Sequence, residues 1–150
     1  MDARLVFTRH PAIRHLMAAG RTLKESPLPA ATQELVALRV SQLNGCAVCL
    51  DMHTKDAAAA GETPVRLHLV AAWREATVYS EAERAALALA EAGTTLPRGV
   101  GDEVWEHAAK HYDEEQLTAL VLLISFMNAA NRLNIITRQP AGDYVPGHVH

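Results

Sequence analysis

Apolar positions recur along this chain at steps of three and four, with few alternating stretches, which is the periodicity of amphipathic helices rather than strands. His10-Pro11 opens a first helix whose Ile13, Leu16 and Met17 share a face and which should end near Gly20. Pro27 and Pro29 then force an extended connection. Thr32 can cap a second helix, in which Leu35, Val36, Leu38 and Leu43 supply the apolar stripe until Asn44-Gly45 breaks it. A third, alanine-rich helix is expected from about Cys46 to a terminating Gly61, and Thr63-Pro64 starts a fourth carrying Leu67, Val70, Ala71 and Trp73. Ser80 and Glu83 have the spacing of a capping box that begins a fifth helix, closed by Gly93. A sixth spans Asp102 to about His111, and Asp113 with Gln116 caps a seventh through Leu120-Val121-Leu122-Leu123-Ile124, the expected core. From Gln139 onward, Pro140, Gly142, Pro146 and Gly147 predict a loop or arm.

This pattern predicts an all-α fold, and 150 residues suit one compact domain. No uninterrupted apolar run approaches the roughly 20 residues of a bilayer span, and the first ten residues lack the apolar stretch of a secretory signal, so a cytoplasmic protein without a membrane partner is expected. A net charge of −3 with no clustered Lys/Arg run gives no footprint for nucleic acid. The two cysteines stand three residues apart, so a bond between them would close too short a loop to constrain the unfolded chain. Their pairing points to chemistry rather than stability.

Cys46, Cys49 and His53 are related by steps of three and four, which on a helix places them on one face. Because Asn44-Gly45 ends the preceding helix, both cysteines fall at a helix start, where free amide N–H groups favour thiolate. Cβ atoms three apart on a helix are about 5–6 Å apart, slightly too far for a relaxed disulfide, so oxidation is expected to need a small local distortion. His53 can take the proton of Cys49, and Glu34 can orient the imidazole. The helix dipole favours Cys46 as the attacking thiolate, whereas the histidine spacing favours Cys49; a positioned base acts on one thiol, which selects Cys49. A thiolate of this kind can attack a peroxide, and the second cysteine can then close a disulfide that an external dithiol must reduce. The same residues could instead supply zinc ligands, with Glu34 completing the set, in a non-enzymatic metal- or thiol-binding module.

The segment from Glu34 through Asn44-Gly45-Cys46-Ala47-Val48-Cys49 to His53, with Ser80–Leu87 and Asn128–Leu133, resembles the alkylhydroperoxidase D-like group of the carboxymuconolactone decarboxylase superfamily. The resemblance covers most of the chain from Thr32 to Asn134. It implies an all-helical fold, assembly into homo-trimers or hexamers, and a relay in which Glu34 and His53 activate Cys49 while Cys46 resolves. It also implies a small organic hydroperoxide or hydrogen peroxide as substrate, a dihydrolipoamide-like dithiol as reductant, and no cofactor or metal. The best-known members carry a second relay histidine just before the C-terminal cysteine; Val48 stands there in this chain, which shortens the relay. Lactone decarboxylases of the same superfamily are the alternative enzyme, and they need no cysteine pair.

Other polar groups read as structural. His107 and His111 lie one turn apart but lack the glutamate of a zincin motif, so they suit a solvated helix face. Trp73, Trp105 and Met127 suit core or subunit contacts. Asn131 and Arg132 interrupt an apolar helix and therefore require hydrogen-bond partners. His148 and His150 carry no site spacing.

Overall fold

A computed structural model describes residues 2–7 and 10–147; His148 and His150 lie outside them. Among the described residues the chain is all-helical, with seven α-helices: α1 (Pro11–Lys24), α2 (Ala30–Asn44), α3 (Ala47–Ala59), α4 (Pro64–Leu69), α5 (Glu81–Thr94), α6 (Asp102–His111) and α7 (Glu114–Thr137). Short 3₁₀ turns follow α4 and α5, at Val70–Ala72 and Leu96–Arg98.

The helix starts follow the sequence where a side chain can cap. Thr63 accepts from the Arg66 amide ahead of α4, and both halves of the capping box form at Ser80/Glu83 and at Asp113/Gln116. Three boundaries differ from expectation. Gly20 lies inside α1, because its missing Cβ admits the Phe126 ring of α7: a Cβ there would stand 2.6 Å from Phe126 Cζ. Thr32 does not cap α2; the helix begins at Ala30 with Pro29 in the cap position, and Thr32 is buried in its first turn. Cys46 is the N-cap of α3 rather than a helical residue, with extended backbone at φ −87°, ψ 96°.

The centre of the molecule is α2, whose Leu35, Val36, Ala37, Leu38, Val40 and Ser41 are all buried. Leu35 and Leu38 pack with Leu67, Val70, Trp73, Tyr79 and Leu87, while Val36, Ala37 and Val40 face Cys46, Cys49, Leu89, Leu120, Leu123 and Met127. A helix buried on all sides has no polar stripe to reveal it, and its polar residues are satisfied internally: Gln33 donates to the Leu28 carbonyl and Arg39 to Glu91. The seventh helix, expected to be the core, is only half so. Leu120, Leu123, Ile124 and Met127 are buried, but Val121, Leu122, Ile135 and Ile136 are exposed.

By length and composition α7 is apolar enough to cross a bilayer, contrary to the expectation that no segment would be, with mean hydropathy 1.5 over an 18-residue window. Its packing on α2 and α5 and its bonded asparagines are those of a core helix in a folded chain. Trp73 and Met127 join the core as expected, whereas Trp105 on α6 is 45% exposed. His107 and His111 stack edge to face on the exposed part of α6.

Candidate functional site

The site begins at the turn between α2 and α3. Gly45 adopts the left-handed conformation, φ 73°, and this reversal lets the Cys46 amide donate to the Ser41 carbonyl at 3.0 Å. The chain leaves the turn with Cys46 extended and enters α3 at Ala47. Cys46 therefore stands at the cap of α3, outside the helix face that Cys49 and His53 share, which corrects the expectation that all three lie on that face. Their Cα atoms are 5.4 Å apart and the sulfurs are joined as a disulfide. That separation lies within the ordinary range for such bonds. Both residues are buried, at 1% and 3% exposure.

A polar seam locks this turn to α7. Asn44 donates to the side-chain oxygens of Asn128 and Asn131, and Asn131, fully buried, donates to Ser41 Oγ at 3.1 Å. Arg132 donates back to the Asn128 carbonyl and side chain, so the pair that interrupts the apolar helix is satisfied within the chain. One turn further along α7, Asn134 Nδ2 donates to Cys49 Sγ at 3.3 Å. Sequence reasoning missed Asn134. The signal was available in the three-residue spacing of Asn128, Asn131 and Asn134, which puts three amides along one side of a helix.

Glu34 on α2 and His53 on α3 meet at 2.7 Å between Oε2 and Nδ1, both side chains being largely buried. Arg39, a conceivable partner for Glu34 by spacing, instead joins Glu91 together with Trp73 and Arg74. The Glu34–His53 bond occupies Nδ1 of the ring and leaves Nε2 without a protein partner among the described residues. No hydrogen bond among the described residues joins His53 to either sulfur; the partner of Cys49 is Asn134. Two openings flank the constellation. A cleft of about 350 Å³ is lined by Cys46, Val48, Asn134, Arg138 and Pro140 among others. A smaller one of about 40 Å³ is lined by Glu34 and His53 with Gly20, Leu23 and Phe126. Val48, where a second relay histidine was absent, thus contributes an apolar wall of the cleft.

The C-terminal segment is an arm fastened to α3. Lys55 Nζ donates to the Gly142 and Tyr144 carbonyls at 2.8 and 2.9 Å, and Asp51 accepts from the Gly142 amide at 2.8 Å. The hydrogen bond from Lys55, aided by the Gly142 amide, holds the Asp51 carboxyl below its usual range. Tyr144 donates its hydroxyl to Asp56, and burial together with that carboxylate pushes the phenol up to about 12. The arm thereby closes one side of the cleft with Pro140 and Ala141. Among the described residues, no three His, Cys, Asp or Glu side chains converge as a metal site.

Comparison with known proteins agrees with this architecture. The chain is 46% identical over 121 residues to YdfG of Bacillus subtilis, an uncharacterized protein, covering 80% of this chain and 82% of YdfG. It is 35% identical over 118 residues to YnjA of Escherichia coli, also uncharacterized, covering 79% of this chain and 65% of YnjA. A crystal structure from Agrobacterium tumefaciens superposes with a TM-score of 0.91 at 29% identity, covering 95% of this chain and all of the other. That protein is of unknown function, provisionally described as an antioxidant defence protein AhpD. The debrominase Bmp8, in its C82A form with 2,3,4-tribromopyrrole, shares the fold with a TM-score of 0.79 at 21% identity, over 87% of this chain and 70% of Bmp8. Residues 11–92, which carry the whole Glu34–Cys46–Cys49–His53 constellation, match the carboxymuconolactone decarboxylase family, and with its alkylhydroperoxidase D-like fold the chain belongs to that family.

Proposed function

We propose that the protein is a thiol-dependent peroxidase in which Cys49 is the peroxidatic cysteine, Cys46 resolves, and Glu34 and His53 form the proton relay. The observation that carries this reading is the juxtaposition at one helix start of a bonded Cys46–Cys49 pair and, one turn on, a histidine already held by a carboxylate. With Nδ1 donating to Glu34, Nε2 is the basic nitrogen, so the ring can accept the Cys49 proton. The thiolate attacks one oxygen of the peroxide; the O–O bond breaks, the departing alkoxide takes a proton, and Cys49 becomes a sulfenic acid. Cys46 then displaces hydroxide from that sulfur to form the disulfide and release water. A lipoyl-type dithiol returns two electrons and regenerates both thiols. The substrate in this reading is a small organic hydroperoxide or hydrogen peroxide.

The test is steady-state consumption of an organic hydroperoxide with dihydrolipoamide as reductant, in wild type and single-cysteine variants. Cys49→Ser should abolish turnover and sulfenate trapping; Cys46→Ser should lose turnover yet still form a trappable sulfenic acid. Sulfenate on Cys46 in Cys49→Ser, with none on Cys49 in Cys46→Ser, would reverse the roles. Lactone decarboxylation that survives removal of both cysteines would favour the other enzyme of the family. Stoichiometric zinc in the purified reduced protein would favour the metal-binding module.

A further inference from the structure

We propose that Asn134 polarises the cysteine pair: it makes Cys49 the thiolate-bearing sulfur and thereby directs the incoming reductant onto Cys46 from the cleft. The proposal rests on the thiol chemistry described above and adds to it a residue and a direction of attack.

Burial does not distinguish the two sulfurs, at 1% and 3% exposure. The helix start by itself favours Cys46, the N-cap, over Cys49. What breaks the balance the other way is the Asn134 amide, whose Nδ2–H is 3.3 Å from Cys49 Sγ. An amide nitrogen can only donate, and a donor aimed at sulfur is worth more to the anion than to the thiol. Asn134 is well placed for this because the Ser41–Asn44–Asn131 seam fixes α7 against the turn that presents the cysteines. The cleft is asymmetric in the same sense, since Cys46 and Asn134 line it and Cys49 does not.

In the reductive half-reaction one deprotonated sulfur of the dithiol attacks Cys46 Sγ. A new S–S bond forms to Cys46, the Cys46–Cys49 bond breaks, and the electron pair leaves on Cys49 Sγ, where the Asn134 N–H receives it. The second thiolate of the reductant then displaces Cys46, so the dithiol ends as its own disulfide and two electrons and two protons have passed to the pair. Thiol exchange runs faster when the leaving sulfur is the more stabilised thiolate, which makes Cys46 the sulfur attacked.

The experiment measures alkylation of Cys49 by iodoacetamide against pH in the Cys46→Ser background, with Asn134, Asn134→Leu and Asn134→Asp. Loss of the donor should move the alkylation midpoint upward and slow the reaction about tenfold or more at a pH below it, the size of one charge-assisted hydrogen bond. The carboxylate of Asn134→Asp should move it further still. Asn134→Asp is isosteric, so it carries the test should Asn134→Leu unfold by circular dichroism. In the oxidised wild type treated with 2-mercaptoethanol and quenched with iodoacetamide, fragmentation mass spectrometry should find the mixed disulfide on Cys46 and the alkyl group on Cys49. Unchanged alkylation midpoints in folded variants, or a mixed disulfide on Cys49, would overturn the proposal. Alkylation needs no peroxide, so a shifted midpoint in a protein that consumes none would sink the peroxidase reading and leave Asn134 its role.

Discussion

Glu34 and His53 share one hydrogen bond, and that bond decides which ring nitrogen can serve a sulfur. If the relay operates, His53→Gln should slow peroxide consumption by about 10²–10⁴-fold without unfolding the protein, the usual range for loss of a general base. Glu34→Gln should cost less. The double variant should be little worse than His53→Gln, because an orienting group has no work once the base is gone. Independent multiplication of the two effects in pre-steady-state rates would contradict the relay. Glu34, Cys46, Cys49 and His53 stand out in the sequence because their identities and spacings limit the chemistry available to them. Asn134 shows in the sequence only as the third of three asparagines spaced by three, and its link to Cys49, 85 residues away, appears only when α7 is laid against α3. Cys46 was placed one residue too deep in α3, because spacing alone does not show which residue after a left-handed glycine becomes the cap.

At the scale of elements, the helices were legible where caps and periodicity agreed, as in α5 and α7, and obscure where tertiary packing overrode them. Gly20 illustrates the override: it reads as a helix end but permits the close crossing of α1 over α7 beside the Glu34–His53 opening. Gly20→Val should destabilise the fold by about 1–3 kcal/mol through overpacking, and Phe126→Leu in the same chain should recover part of that loss in denaturant titrations. The α2–α5 contact carries a pH dependence of determinable sign. Burial raises the Glu91 carboxyl, but bonds from Arg74, Trp73 and Arg39 outweigh it and hold the group below its ordinary value. Glu83 behaves likewise, burial being outweighed by Arg66 and the Ser80 amide. A carboxyl depressed in the folded state stabilises the fold above its unfolded value, about 4.3, and that contribution disappears as pH falls through the folded one. The urea midpoint should therefore drop below about pH 4.5, and Glu91→Gln should make that drop shallower; an equal slope in wild type and variant would show that Glu91 is not coupled to folding.

For the whole molecule, the all-helical class was readable from periodicity, but the identity of the central helix was not. Gln33, Glu34 and Arg39 of α2 all spend their polarity on internal partners, so no polar stripe marks which side of the helix is buried. Conversely the most apolar helix, α7, turns Val121, Leu122, Ile135 and Ile136 outward. An apolar stripe of that kind is costly to leave in water, and we propose that further copies of the chain cover it. Light scattering should give a mass well above the 16.3 kDa of one chain, and Leu122→Glu should lower it; a monodisperse monomer would contradict this. The most direct test of the central claim, that Cys46 and Cys49 form one peroxide-driven redox couple, is a thiol titration of the reduced protein before and after one equivalent of an organic hydroperoxide. Two thiols per chain should disappear and return with dihydrolipoamide, whereas full retention of both thiols would show that the pair does not reduce peroxides.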